Sequence, residues 1–170
     1  MSAASSKPSA AEAAVRPTAI LAIDYGRARI GLAIADAATA LPRPLTTLHR
    51  ENRNEDMRRL RVLAREHGVK QIIVGLPLRL DGTRGEMAEE AERFANRVRK
   101  QIGVAVELVD ERLTSWEAER VMEEELGKKI RTEKAEKRGK SLETVTVDSV
   151  AATVMLREYL EKAKRTRELT

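Results

Sequence analysis

Short apolar runs, separated by polar turns and by helix-like spacings, organise this chain. Residues 20–23 and 30–35 form two such runs on either side of a polar turn that contains Gly26, which is typical of a β-hairpin. Three further apolar runs predict strands at residues 45–49, 69–74 and 104–109. Apolar spacings of three and four, together with capping signals, predict helices at residues 54–67, 86–101, 114 to about 126, and 148–163.

The order of these elements predicts an α/β fold in one domain. An antiparallel meander precedes alternating helices and strands, so we expect a mixed five-stranded sheet with helices on both faces. The proline-containing residues 41–44 are expected to be a rigid connection before the third strand. The domain is expected to span residues 19–164 and to contain a mobile basic loop at 127–147. Residues 1–18 are expected to be a disordered tail without a secretory signal, and residues 165–170 a charged tail.

The composition narrows the chemistry that this chain can perform. Its 170 residues are 42% hydrophobic and only 2% aromatic, so the core is aliphatic and few rings are available to stack on bases. The absence of cysteine excludes disulfides, a thiol nucleophile and cysteine-bound zinc, and two histidines make an imidazole zinc site unexpected. No apolar run approaches the ~20 residues that span a bilayer. We therefore expect a soluble, cytoplasmic protein with no membrane partner.

The positive charge of the chain is concentrated in one segment. The net charge of +5 favours a polyanionic partner. Residues 127–140 hold seven Lys and Arg residues against two Glu residues, so this segment alone accounts for the excess. A solvated mobile loop explains such a run on composition alone, whereas a clamp on a nucleic-acid backbone is the functional alternative. The basic residues are Lys128, Lys129, Arg131, Lys134, Lys137, Arg138 and Lys140.

Three acidic residues stand at the ends of predicted elements, where packing alone does not require a charge. Asp24 follows the first strand, Glu111 follows the last strand, and Asp148 opens the last helix. Each has a structural alternative. Asp24 can hydrogen-bond the following turn, and Asp148 can be a helix N-cap. Glu111 can pair with Arg112, and Asp110 competes with it because strand alternation turns only one of the two toward Asp24.

The placement of the three acids together favours a metal site. Strand ends from distant positions in the sequence meet at one edge of a sheet. Carboxylates are the ligands that Mg²⁺ and Mn²⁺ prefer, and phosphodiester hydrolysis can use two such ions. A Ser-His-Asp mechanism is disfavoured, because neither histidine lies near a plausible serine.

Four segments, in this order along the chain, resemble the YqgF-like family of Holliday-junction-resolvase-like proteins, to which pre-16S rRNA nuclease activity is ascribed. The segments are 23–36 (IDYGRARIGLAIAD), 74–88 (VGLPLRLDGTRGEMA), 109–115 (VDERLTS) and 147–160 (VDSVAATVMLREYL). The resemblance implies an RNase H-like fold and a metal-dependent nuclease that trims the 5′ end of precursor 16S rRNA. By position, it implies that Asp24, Glu111 and Asp148 are the catalytic acids.

The leading hypothesis is an endonuclease acting on structured RNA, namely precursor 16S rRNA in ribosomal particles, with Mg²⁺ or Mn²⁺ held by the three acids. Arg29 and Arg112 would contact phosphate. Backbone amides at Gly82, Thr83 and Gly85 could also approach a phosphate. The basic segment would clamp the RNA backbone. No long exposed apolar helix demands a dimer, so a monomer is favoured.

Three other functions stay open at this point. A Holliday junction resolvase would use the same metal site on branched DNA and would act as a dimer. A non-catalytic RNA-binding or assembly factor would keep the scaffold without needing the metal. An ATPase with a similar hairpin is disfavoured, because that fold binds nucleotide between two domains and this chain is long enough for one.

Overall fold

The computed structural model describes residues 18–113, 120, 124 and 146–170, and all five predicted strands lie within them. The strands are β1 (Ala19–Tyr25), β2 (Arg29–Asp36), β3 (Pro42–His49), β4 (Val69–Leu76) and β5 (Ala105–Asp110). The helices are α1 (Arg53–Glu66), α2 (Glu86–Ile102) and α3 (Val147–Glu168), and a 3₁₀ turn (Glu111–Leu113) follows β5.

Some predictions fall on residues outside the described part of the chain. Of the helix predicted from residue 114 to about 126, the structure describes Arg120 and Glu124, and both are helical. The predicted disordered tail lies outside the described residues except for Thr18. The predicted basic loop lies outside them up to residue 145.

One mixed sheet contains the five strands in the order β3-β2-β1-β4-β5. The central strand β1 pairs antiparallel with β2 and parallel with β4. On the outer sides, β3 pairs antiparallel with β2, and β5 pairs parallel with β4. This topology confirms the predicted hairpin, meander and parallel strands.

Helices cover both faces of the sheet, as predicted. On one face, Leu21 and Ile23 of β1 pack with Leu60 of α1 and Phe94 of α2 in the larger of two cores. These side chains are completely or almost completely buried. Burial of such aliphatic and aromatic surface is the main stabilising contribution to the fold.

The opposite face of the sheet is covered by α3. Ala22 of β1, Ala33 of β2 and Ile73 of β4 pack there with Met155 and Leu156 of the helix. Because two of the three strand residues are alanine, α3 can approach the sheet closely.

The third strand begins earlier than the sequence predicted. The segment expected to be a rigid connection contributes Pro42, Arg43 and Pro44 to β3. Proline lacks a backbone N–H, but β3 lies at the edge of the sheet, where one side of the strand needs no donor. The prediction that these residues form a connection outside the sheet was therefore wrong.

The last helix extends beyond its predicted end at Ala163 and reaches Glu168, so most of the predicted charged tail is helical. Glu161 pairs with Arg157 and Arg165, each four residues away, and no glycine or proline interrupts the segment. Neither α3 nor any other helix in the described part of the chain is long and apolar enough to cross a membrane.

Candidate active site

Asp24 lies near the end of β1 and is directly opposite Gly31 of β2 in the antiparallel register. Side chains alternate along a strand, so Asp24 shares a face with Ala22, which packs under α3. The carboxylate of Asp24 is therefore on the α3 face of the sheet, and its residue is half-buried. By contrast, Asp36 at the end of β2 has a local role in a turn, because its Oδ1 accepts a hydrogen bond from the N–H of Ala38.

The first turn of α3 rests on β2 at Gly31. A β-carbon at this position would overlap the carbonyl group of Asp148 and would lie 2.8 Å from the amide nitrogen of Ser149. Only glycine allows this approach, because any side chain would collide with backbone atoms. Asp148 is thereby brought to the strand position that faces Asp24.

Asp148 is not the N-cap of its helix, which was one alternative for this residue. Thr146 is the N-cap, and its N–H donates to Ser149 Oγ at 3.1 Å. Asp148 lies within the first helical turn, where a negative charge interacts favourably with the helix dipole.

Glu111 follows β5, and its carboxylate lies over Gly75 of β4. A β-carbon at Gly75 would overlap Glu111 Oε1. The parallel register pairs Ile23 of β1 with Val74 of β4, so the next residues, Asp24 and Gly75, are neighbours. The carboxylate of Glu111 is therefore on the other side of Asp24 from Asp148.

The three predicted acids thus come from distant elements to one end of the sheet and to the same face of it. Their side chains are not gathered into a finished metal site: in the described part of the chain, no three acidic or histidine side chains are arranged to hold a metal ion. The carboxylate donors nevertheless fit a hard cation such as Mg²⁺ or Mn²⁺. The space that side chains at Gly31 and Gly75 would fill is taken by the backbone of Asp148 and by the carboxylate of Glu111.

The structure separates Asp110 from Glu111. Three groups of Arg112 donate hydrogen bonds to the Asp110 carboxylate: the backbone N–H at 2.9 Å, Nε at 3.1 Å to Oδ1 and 3.2 Å to Oδ2, and Nη2 at 2.7 Å. The guanidinium hydrogen bond lowers the pKa of the Asp110 carboxyl below its ordinary value. Asp110 therefore holds Arg112 in place, and the position of Glu111 over Gly75 favours Glu111 as the candidate ligand.

Arg112 faces the loop between β4 and α2. Its Nη1 lies 3.4 Å from the carbonyl oxygen of Leu80, and Gly82 lies against the guanidinium with φ of 85°. The N–H of Gly82 donates to Arg79 O at 2.8 Å, and the N–H of Thr83 donates to Asp81 Oδ1 at 2.9 Å. Because these amides are used within the loop, this arrangement disfavours the prediction that Gly82 and Thr83 bind phosphate through them.

Arg29 was predicted to contact phosphate. In the structure, its side chain forms an ion pair with one of the candidate acids, Asp148. Its Nε donates to Asp148 Oδ2 at 2.8 Å. Arg27, two residues earlier on the hairpin, instead bridges Glu90 at 2.7 Å and Glu86 at 3.3 Å.

Comparison with known proteins gives the family. The sequence profile described as "RuvX: Holliday junction resolvase" matches residues 18–162. The chain belongs to this family. A protein of Anaeromyxobacter sp. (strain K) is 42% identical over 142 residues, which are 84% of this chain and 96% of that protein. One of Thermosynechococcus vestitus is 34% identical over 151 residues, 89% of this chain and 93% of that protein. Both carry the name "Putative pre-16S rRNA nuclease".

Solved structures confirm the RNase H-like fold of this RuvX-family chain. The structure described as T. thermophilus RuvC in complex with Holliday junction substrate aligns with a TM-score of 0.52. The alignment covers 87% of this chain and 96% of that chain at 13% sequence identity. The family and its named relatives also support the coarser functional prediction, a nuclease.

Sequence reasoning on this RuvX-family chain missed two glycines that contact the candidate acids, namely Gly31 and Gly75. Each lies inside a strand, and glycine within a strand is a known sign of a close approach by another part of the structure. For Gly31 that signal was present in the sequence, although it does not identify the approaching residue. Gly75 was expected to follow the strand predicted at residues 69–74, and the structure instead places it inside β4. The predicted nucleic-acid-binding residues that lie outside the described part of the chain are Lys128, Lys129, Arg131, Lys137, Arg138 and Lys140.

Proposed function

We propose that this RuvX-family protein is a metal-dependent endonuclease that hydrolyses phosphodiester bonds in structured RNA, and that its substrate is the 5′ region of precursor 16S rRNA. The observation that carries the proposal is the approach of Asp148 and Glu111 to Asp24 from its two sides, through contacts at Gly31 and Gly75. The RNA substrate is taken from the names of the relatives.

Three carboxylates at one end of a sheet repel each other unless cations neutralise them. Asp24, Glu111 and Asp148 would hold Mg²⁺ or Mn²⁺, because oxygen donors without thiolate or imidazole suit these ions. The bound ions would lower the pKa of a water molecule and stabilise the charge on the departing oxygen. In the reaction, the water oxygen forms a new bond to phosphorus, the bond to the leaving oxygen breaks, and the leaving oxygen takes up a proton.

Positively charged side chains around the acids would position the RNA backbone. Arg112 is oriented by Asp110 beside the Leu80 carbonyl, and its guanidinium is partly exposed. Contacts of this kind give affinity without base specificity, so the choice of substrate would depend on RNA shape.

The test compares cleavage of a precursor 16S rRNA fragment in Mg²⁺, in Mn²⁺ and in EDTA. Asp24→Asn, Glu111→Gln and Asp148→Asn should each lower the rate by more than ~100-fold, since even the outer partners of metal ligands can be worth that much. Asp36→Asn is the matched control, because Asp36 is at the opposite end of β2 and should leave the rate unchanged. Full activity of folded Asp24→Asn would overturn the mechanism.

Branched DNA is the second candidate substrate, and the description of the matching family profile favours it. A four-way DNA junction is therefore assayed beside the RNA with the same variants. Cleavage of the junction with no cleavage of the RNA would replace the proposed substrate but keep the proposed metal site. RNA binding that persists in all variants and in EDTA, with no cleavage of either substrate, would instead support the non-catalytic alternative.

A further inference from the structure

Arg29 and Asp148 form an ion pair at the candidate active site. Arg29 Nε lies 2.8 Å from Asp148 Oδ2, and the two side chains are 54% and 29% exposed. The residues are 119 positions apart in the sequence, so the contact exists only because the first turn of α3 rests on β2. An ion pair with this much solvent access is weak and can exchange partners.

The position of Arg29 explains why it meets Asp148. Arg29 and Gly31 are two residues apart on β2 and therefore share one face of the sheet. Gly31 supports the backbone of Asp148, and Gly31 is also the partner of Asp24 across the strands. The Arg29 side chain consequently occupies the same corner of the sheet as the candidate ligands.

Two other arginines near the site hold acids that are not candidate ligands. Arg27 pairs with Glu90, and Arg112 pairs with Asp110. Of these three arginines, Arg29 is the one that holds a candidate ligand. Any cation that uses both oxygens of Asp148, or that occupies the space beside Oδ2, must compete with the guanidinium.

We propose that Arg29 is a displaceable counter-ion of Asp148 that couples metal binding to substrate binding. Before the cation binds, Arg29 neutralises the carboxylate of Asp148. When the cation binds to Asp148, it displaces the guanidinium, and Arg29 then contacts a phosphate oxygen of the nucleic acid. A phosphate that engages Arg29 also frees Asp148 for the cation. By linkage, the phosphate strengthens cation binding by the same factor by which the cation strengthens phosphate binding. This inference rests on the proposed function, because it requires Asp148 to be a cation ligand.

The first test measures Mn²⁺ binding in the absence of nucleic acid. The electron paramagnetic resonance signal of free Mn²⁺ is the readout. Arg29→Gln removes the competitor, so it should lower the Kd for Mn²⁺ by about two- to fivefold, the range expected for an exposed ion pair. Arg27→Gln is the matched control, because Arg27 lies on the same hairpin, is 57% exposed and pairs with Glu90. It makes the same change in net charge and should alter the Kd much less.

A double-mutant cycle separates displacement from general charge repulsion. In the Asp148→Asn background, Arg29→Gln should no longer change the Kd for Mn²⁺, because the residue for which it competes is gone. Arg29→Gln should cleave the RNA substrate more slowly, although it binds Mn²⁺ more tightly in the absence of RNA, since the phosphate contact is lost. The melting temperature of each variant verifies that the protein is folded.

The outcomes distinguish this inference from the proposed function. If Asp148→Asn weakens Mn²⁺ binding and Arg29→Gln leaves the Kd unchanged or raises it, the displacement is wrong and the metal site stands. If Arg29→Gln and Arg27→Gln lower the Kd equally, the effect is one of net charge and the inference is also wrong. If Asp148→Asn binds Mn²⁺ as the unmodified protein does, both the inference and the proposed metal site fail.

Discussion

Gly75 lies beneath the carboxylate of Glu111, and a β-carbon at this glycine would overlap Glu111 Oε1. The overlapping atom is the end of a flexible side chain, so the protein can relieve the collision by turning Glu111 away. We expect Gly75→Ala to lower the cleavage rate by about 100-fold, because small displacements of catalytic groups have effects of this size. The free energy of unfolding should change by less than ~1 kcal/mol. Cleavage assays and urea denaturation measure the two effects.

The control for Gly75→Ala is the double variant with Glu111→Gln. If the alanine acts by displacing Glu111, the double variant should be no less active than Glu111→Gln alone. Full activity of Gly75→Ala would show that Glu111 is not needed at the position that the structure gives it.

Gly31→Ala should behave differently, because the atoms it would meet belong to the backbone of Asp148 and Ser149. A backbone in the first turn of a helix cannot rotate away, so α3 has to shift from the sheet. We expect a loss of about 1–3 kcal/mol in the free energy of unfolding, which is typical of overpacked sites. Urea denaturation measures it, and a loss no larger than that of Gly75→Ala would contradict the close packing of α3 on β2.

The strands of this fold could be predicted because β1, β2 and β4 are buried on both faces and therefore give continuous apolar runs. The start of β3 could not, since Pro42 and Pro44 are acceptable only because β3 lies at the edge of the sheet. Edge position is a property of the whole topology and leaves no local signal in the sequence.

For the candidate site, the sequence supplied the acids but not their partners. The pattern around Arg29 shows a cation near a turn, and nothing in it indicates Asp148, which is 119 residues away. The choice between Asp110 and Glu111 was equally open, because it depends on which side chain meets Arg112 and which one lies over Gly75. Long-range contacts of this kind follow from the packing of α3 and β5 and not from local spacing.

A buried ion pair positions the end of β1 that carries Asp24. Asp56 is 1% exposed and accepts a hydrogen bond from Arg50 Nε at 3.0 Å, and Arg50 also donates to the hydroxyl of Tyr25 at 2.9 Å. Asp56→Ala leaves this guanidinium without its buried partner, so we expect a loss of about 3 kcal/mol in the free energy of unfolding. Chemical denaturation of the purified variant measures this loss.

The neighbouring acid Glu55 offers a matched control on the same helix, because it pairs with Arg58 in an exposed i, i+3 contact at 2.6 Å. Glu55→Ala should lower the free energy of unfolding much less than Asp56→Ala does, because exposed pairs contribute little to stability. Equal losses for Asp56→Ala and Glu55→Ala would contradict the role of burial.

The Asp110–Arg112 pair predicts a pH dependence of stability. Hydrogen bonds from Arg112 lower the pKa of the Asp110 carboxyl below its ordinary value of 3.8. The unfolded chain therefore binds this proton more readily than the folded protein, so the pair stabilises the fold above the ordinary pKa and stops doing so as the pH falls through the lowered pKa. Arg112→Gln should destabilise the protein at neutral pH and have little effect in strong acid.

Two measurements verify the Arg112 prediction. An NMR titration should show the pKa of Asp110 rising toward its ordinary value in Arg112→Gln, and urea denaturation at neutral and at strongly acidic pH should show the difference in stability. A destabilisation of the same size at both pH values would mean that Arg112 stabilises the fold by some route other than the ionised form of Asp110.

The basic segment predicts a change in the salt dependence of RNA binding. Each phosphate contact contributes about 0.7 to 0.9 to the slope of log affinity against log salt concentration. If Lys128 and Lys129 contact the RNA backbone, replacing both with glutamine should reduce that slope by about 1.4 to 1.8. The matched control replaces Lys70 and Lys100, which are exposed and lie at the start of β4 and near the end of α2, away from Asp24. Equal slopes for both double variants would show that Lys128 and Lys129 do not contact the RNA backbone. Arg29 and Arg112 would then remain as the candidate phosphate contacts.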